Sequence, residues 1–287
     1  MFEITLQYWF LFPISIAIAT IAMSSGVGGA VFFSPIFLLW LKLEPSIAVG
    51  TALLTELFGF GSGMVAYVRS KRIDYKLAGS MLMFSIPAAV VGVLIADKFA
   101  PAVLKGIFAT GLLFLGYELF SSWRRGETEA ADKEVANTPL PGASKITDKD
   151  GNVFVYTVCN KAMGRLFAAI GGLFLGMISV GLAELEEYHL VARCKVPSAV
   201  AIATSIFVVV CTVLVAVIGH GHSFISEASQ EDIAQVINIV IYTVPGVLIG
   251  GQLGPAVGAR VNPDLMKVAV SMIFMGVGAF MLALLAF

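Results

Sequence analysis

From Tyr8 to Phe287 the chain is a succession of apolar stretches, each near the length that crosses a bilayer, for which about 20 residues suffice. Residues 8–41 form one long stretch, interrupted by "SSGVGG" at 24–29, and 46–68, 77–97 and 102–122 follow. After a polar interval come 165–192, interrupted near Ser179–Gly181, then 198–219, 233–253 and 264–287. Charged residues make up 13% of the 287, about half the share usual in soluble domains. These stretches predict an all-α polytopic membrane protein. The net charge of -1 points to no nucleic-acid partner. No cleavable signal peptide is expected, because the N-terminus lacks a basic region and the first apolar stretch outruns a signal core. Cys159, Cys194 and Cys211 show no C-x-x-C spacing, so neither a disulfide framework nor a zinc site is expected from them. They read as small apolar residues of a packed bundle.

Residues 123–164 are the one soluble-looking segment. The first half, "RRGETEAADKEVANTPLPGAS", has the composition of a flexible linker. The second half, "KITDKDGNVFVYTVCN", sets Asp-Gly between β-prone runs, a hairpin signal. Asp148 and Asp150 lack the other ligand positions of a calcium loop. The expected division is a first transmembrane repeat at 1–122, a soluble cytoplasmic linker at 123–164 and a second transmembrane repeat at 165–287.

The two apolar halves resemble each other at a constant offset. "PSIAVGTALL" (45–54) falls on "SAVAIATSIF" (198–207), Thr51 on Thr204, Gly28 on Gly181 and Ala30 on Ala183. Further on, Pro87 and Gly92 correspond to Pro245 and Gly250. Lys and Arg near span ends mark the cytoplasmic side. Arg69, Lys71, Arg72 and Lys76 place the loop after 46–68 inside. The loop after 198–219, "GHGHSFISEASQED", has no Lys or Arg and belongs outside, with His220 and His222 solvated in it. The halves are therefore expected to be inverted repeats, each a broken helical hairpin followed by three transmembrane helices. Eight simple spans in two parallel repeats would put basic loops on both sides and fit less well.

Broken helices at matching places in two repeats are a sequence-level pointer to a transport site, since non-helical backbone at membrane depth is tolerated only where protein or a water-filled cavity covers it. At the first break stand Ser24, Ser25, Gly26, Gly28 and Gly29. At the second stand Ser179 and Gly181. A restarting helix presents free N–H groups suited to an anion, although glycines also serve close helix packing. Thr51, matched by the repeat to Thr204, and Ser205 add hydroxyls. Glu56, alone in mid-span, is a functional residue by default and a candidate for a coupling proton. Glu184 and Glu187 share one helical face by i,i+3 spacing and join it as proton-coupling candidates. Glu186, His189 and Arg193 are expected to form a network near the cytoplasmic mouth, and Glu118 to snorkel at a span end. Glu186-x-x-His189 has metal-ligand spacing but occurs once. No hydrolase, metalloprotease or Walker motif is present, so neither an enzyme nor a cofactor is expected.

"GVGGAVFFSPIFLLWLKLEPSIAVGTALL", followed by a span and "YVRSKRIDYKLA", resembles the TauE/SafE family of sulfite and organosulfonate exporters. The resemblance is carried by Gly26, Gly28, Gly29, Pro35, Ala48, Thr51, Arg69, Arg72, Asp74 and Tyr75, and in the second half by Gly181, Ala201, Thr204, Ser205, Pro245 and Gly250. It implies ATP-independent transport of a small anion, such as sulfite, a sulfonate or a related carboxylate, across the cell inner membrane. Alternating access and a coupling H+ or Na+ fit that reading, and a homo-oligomer is allowed by it. Two departures stand out. Ala52 replaces a Ser after the first Thr, and "GLAELEEYHL" replaces the second Gly-rich, Pro-containing segment. These glutamates raise an alternative, a cation carrier or channel built on Glu56, Glu184 and Glu187.

Overall fold

The structure is a computed structural model that describes residues 5–96, 98–126, 143–227, 229–258, 260–261 and 263–286. The expected flexible first half of the linker, from residue 127 to 142, lies outside the described residues. Ten helices occur among the described residues, in an order that repeats. The first half holds α1 (Leu11–Ser25), α2 (Ala30–Pro35, prolonged by a π-helical turn at Ile36–Trp40), α3 (Pro45–Ser70), α4 (Tyr75–Ala96) and α5 (Pro101–Arg124). The second holds α6 (Lys161–Ile178), α7 (Leu182–Glu187, prolonged by a π-helical turn at Tyr188–Arg193), α8 (Ser198–Glu227), α9 (Gln230–Gly258) and α10 (Pro263–Ala286). Seven helices are long and apolar enough to cross a membrane. Large apolar side chains such as Met83, Leu94 and Ile218 are exposed on their flanks, as a lipid-facing surface requires.

Local chemistry places the helix ends. Pro45 and Pro101 open α3 and α5 after residues held extended, where the missing N–H costs no helical hydrogen bond. Asp74 caps α4 by accepting the N–H groups of Lys76 (3.1 Å) and Leu77 (3.0 Å). Asn160 caps α6 by accepting the Met163 N–H at 3.1 Å. Contrary to the outer loop expected after residue 219, α8 stays helical to Glu227. His220 is not solvated: it is 5% exposed, with Nε2 2.8 Å from the Gly176 carbonyl. The side chain of His222 lies outside the described residues.

Contacts along the helices fix their relative directions. A Cβ on Gly246 would meet Phe12, on Gly250 Ile16, and on Gly254 Met23, so α9 runs parallel to α1. Thr55 meets Thr243 at 3.2 Å and Ser62 donates to the Leu248 carbonyl at 2.9 Å, so α9 is also parallel to α3. The second half builds the same arrangement. Gly172 and Gly176 of α6 lie on Ser85 and Ala89 of α4, while Ser85 meets Thr212 of α8 at 2.9 Å and Val93 meets Gly219. Thus α1, α3 and α9 form one parallel group and α6, α8 and α4 another. The fourth helix of each half has been exchanged into the other half's group. Between groups the sense reverses: the start of α3 at Gly50 faces His220 near the end of α8, while Asp74, just beyond α3, bonds Thr204 near the start of α8. The pair α5 and α10 packs antiparallel, Gly106 against Leu285 and Gly116 against Met275. Small residues let these backbones approach, which drives helix association where lipid supplies no hydrophobic effect.

Outside the bundle, β1 (Ser144–Thr147) and β2 (Val153–Tyr156) form an antiparallel hairpin, Ser144 opposite Tyr156 and Thr147 opposite Val153. Its turn is organised by Asp148, whose Oδ1 accepts the Asp150 and Asn152 N–H groups, each at 2.9 Å. The hairpin docks on the α3–α4 turn. Arg72 Nη2 lies 2.9 Å from Asp148 Oδ2, the Lys149 N–H donates to the Ser70 carbonyl at 3.0 Å, and the Tyr156 hydroxyl donates to Asp74 Oδ2 at 2.7 Å. Desolvation opposes the Asp148 charge, but hydrogen bonds from Asn152, Arg72 and the Asn152 and Asp150 amides outweigh it and hold the carboxyl down at about 2. A depressed folded-state value contributes stability above the ordinary carboxylate range and loses it as pH falls toward 2. Hydrogen exchange at residues 144–156 is therefore expected to stay slow down to about pH 4 and to accelerate between there and pH 2. Asp148→Asn should bring fast exchange already at neutral pH, and unchanged protection in that variant would count against the docking.

Candidate substrate site at the two helix breaks

The first break begins where α1 ends. Gly26 takes a left-handed conformation (φ 79°) and donates its N–H to the Ala22 carbonyl at 3.0 Å. Four residues later α2 begins at Ala30, and Pro35 inside it, with no N–H to give, precedes the π-helical turn. The second break repeats the device. Ser179 is left-handed at φ 59°, Gly181 stands at φ 111°, and α7 begins at Leu182. Neither restarted segment is long: about 11 residues at 1.5 Å each reach roughly 17 Å, too short to cross a bilayer core of about 30 Å. The breaks face each other, with Ser34 and Ser179 sharing a hydrogen bond at 2.7 Å between their Oγ atoms.

Glu184 joins the two breaks. It occupies the third position of α7, from which a glutamate can reach back to the helix start, and its Oε2 accepts the Gly181 N–H at 3.1 Å. Its Oε1 accepts the N–H of Gly28, also at 3.1 Å, across 156 positions of chain. One carboxylate, 5% exposed, thus holds an orphan backbone donor from each half. Two further buried carboxyls lie against the first break. A Cβ on Gly28 would lie 3.2 Å from Glu56 Oε1, and one on Gly26 would lie 3.4 Å from Glu187 Oε2. Neither oxygen of Glu56 has a hydrogen-bond partner among the described residues. The Ala30 and Gly29 amides approach it outside hydrogen-bonding geometry. A cavity of about 80 Å³ runs from Glu184, Glu187 and Tyr188 to Glu118 and Ser122 on α5. An apolar cleft of about 710 Å³ between α5 and α6 reaches Gly181 from the lipid side.

Most, but not all, of the sequence-predicted residues meet at the breaks. Ser25, Gly26, Gly28, Gly29, Ser179, Gly181, Glu56, Glu184 and Glu187 are brought together at the breaks. Ser24 belongs to the first break in sequence, but its hydroxyl bonds the Ile21 carbonyl at 2.9 Å and it packs on Gly258 of α9. Thr51 and Thr204 stand apart. Thr51 borders a small cavity with Gly50, Leu54 and His220, and Thr204 accepts the Asp74 N–H at 3.0 Å. Ser205 donates to Glu186 Oε2 at 2.8 Å. The expected network of Glu186, His189 and Arg193 is not formed: Arg193 is exposed and His189 lies 3.6 Å from the Cys194 sulfur. Glu118 lies 3.4 Å from Arg125 at the end of α5, in keeping with a snorkelling role. The cysteine expectation also needs correction, because the fold joins Cys159 to Cys194 across 35 positions. Ser34 and Asp74 were not singled out as contacts of the breaks and of α8, since each owes its partner to another half of the chain.

Membrane-length helices around two facing breaks, lined by buried carboxyls and by the two backbone donors that Glu184 holds, describe an integral multi-pass membrane protein with a polar centre. The sequence model of the family described as "Sulfite exporter TauE/SafE" matches residues 11–281, and the chain belongs to that family of membrane transporters. It is similar to the "Probable membrane transporter protein YunE" of Bacillus subtilis (strain 168), with 21% identity over 285 residues, covering 95% of this chain and 96% of that one. It is also similar to "Probable membrane transporter protein YjnA" of the same organism, with 26% identity over 245 residues, covering 82% and 86%. No solved structure matches the chain. The protein is accordingly a multi-pass plasma-membrane transporter and not an enzyme.

Proposed function

We propose that this transporter carries a small oxoanion, sulfite or an organosulfonate, in exchange for the carboxylate of Glu184 at the two breaks. The observation that carries this reading is the double acceptance by Glu184 of the Gly28 and Gly181 N–H groups. An oxyanion offers negatively charged acceptor oxygens, as does the carboxylate that now holds those donors, so the two compete. A proton arriving through the cavity from Glu118 and Ser122 neutralises Glu184, weakens its hold on the two donors and admits the substrate, and return of the Glu184 charge expels it. Substrate and proton are thereby coupled at one pair of donors. Glu56 and Glu187 sit against the same backbone as relay groups. The repeated element order and the antiparallel sense of α3 and α8 support two inverted repeats, 1–122 and 165–287. The basic clusters put the 123–164 linker in the cytoplasm, and rocking of one helix group against the other supplies alternating access.

A cation carrier is the second reading, favoured by three carboxyls around the first break. Their placement argues against it: the one cluster of ligand atoms mutually within 4.8 Å among the described residues contains none of them. Proteoliposome flux separates the two. Saturable uptake of labelled sulfite or sulfonate, rising as the loading side is acidified, is expected. Saturable uptake of a metal cation with no anion flux would sink the proposal.

A further inference from the structure

We propose that Cys159, His189 and Cys194 form a binding site for Zn2+ at the cytoplasmic end of the second broken helix. The three come from different places. Cys159 lies between β2 and α6, His189 in the π-helical turn after α7, and Cys194 just past that turn. Their ligand atoms all lie within 4.8 Å of one another. His189 is 1% exposed and Cys194 8%, whereas Cys159 is exposed and gives an ion its entry. The His189 ring meets the Cys194 sulfur at 3.6 Å through Nε2, and its Nδ1 has no hydrogen-bond partner among the described residues. A buried imidazole without a full set of partners, set beside two sulfurs, suits a ligand better than a structural histidine. Two sulfurs and one imidazole are the donor set of a zinc site with its fourth position open to water or an anion.

The structure joins the two sulfurs, with the Cα atoms 5.0 Å apart. Lys161, Arg165, Arg193 and Lys195 surround this end of the bundle in sequence, so by the orientation adopted under the proposed function it faces the cytoplasm. There a low-molecular-weight thiol pool keeps such pairs reduced. Two equivalents of that thiol cleave the Cys159–Cys194 bond, leaving two cysteine thiols and the oxidised thiol as its own disulfide. Zinc then binds the two thiolates and releases their two protons. The ion would pin the connection leaving the hairpin to the helix that carries Glu184 and Glu187, so the soluble segment and the substrate site would share one anchor.

The test is the zinc content of the full chain, purified in detergent with a thiol reductant and measured by elemental mass spectrometry. About one zinc ion per chain is expected for a single Cys2His site. Cys159→Ser, at an exposed position, and His189→Gln should each lower it tenfold or more, while Cys211→Ser leaves it unchanged. Cobalt substitution should give thiolate-to-metal absorption that Cys159→Ser abolishes. The proposal is overturned if reduced wild type retains no zinc, if Cys159→Ser retains as much, or if acid-trapped cells hold the pair oxidised. Zinc content is read without transport, so failure of the anion proposal in flux assays leaves this result distinct.

Discussion

Glu184→Gln is expected to tighten anion binding by about tenfold or more and to abolish the dependence of flux on a proton gradient. The carboxylate meets two N–H donors, one from each half, and each such hydrogen bond to a charged group is worth about 1.5–3 kcal/mol. A glutamine offers one acceptor oxygen and an amide that is itself a donor. It cannot satisfy Gly28 and Gly181 together, so one donor is left for substrate at every pH. The expected result is downhill anion flux that no longer responds to pH, with a lower apparent Kd in a thermal-shift titration. Were Glu184→Gln to transport with wild-type pH dependence, the coupling proton would have to be assigned elsewhere, with Glu56→Gln the next variant to measure.

Gly172→Val is expected to destroy the assembled bundle. An added Cβ at Gly172 would overlap the Ser85 backbone of α4, which cannot rotate away as a side chain can. Overpacking of a core costs about 1–3 kcal/mol even where side chains can yield, and here two whole helices must part. The variant should lose its monodisperse peak on size-exclusion chromatography. Gly61→Val and Gly79→Val are the controls, since nothing lies within 4 Å of a Cβ at either position. Equal behaviour of all three variants would mean that close helix approach is not what Gly172 supplies.

The spans and both breaks were legible because they are local: a bilayer-length apolar run and a glycine cluster need no partner to be recognised. The inverted direction of α3 and α8 was foreshadowed by where Arg69, Lys71 and Arg72 sit and where basic residues are missing. What could not be read were contacts between halves. Glu184 could be placed on the correct helix face, but its acceptance of the Gly28 N–H depends on how two breaks meet in space. Thr204 was matched to Thr51 by sequence, yet its hydroxyl serves the backbone of Asp74, because α3 and α8 run antiparallel and the starts of the two helices lie at opposite ends. The pairing of Cys159 with Cys194 was not legible either, since α6 and the restarted helix α7 intervene between them. The end of α8 was misjudged because hydropathy ends where lipid ends, whereas a helix ends only where its hydrogen bonds do.

The exchange of α4 and α9 between the two groups bears on how the protein is made. A ribosome delivers α1 and α3 to the bilayer long before it has translated Gln230–Gly258, the segment that both must pack against. In turn α4 is delivered before α6 and α8 exist. The group of α4, α6 and α8 can close as soon as α8 is made, whereas α1 and α3 must wait for α9, so the order of insertion differs from the order of packing. A nascent chain stalled before α9 would leave the backbone surfaces of α1 without the glycines that fit them, an exposed seam by which membrane quality control could tell an unfinished chain from a finished one.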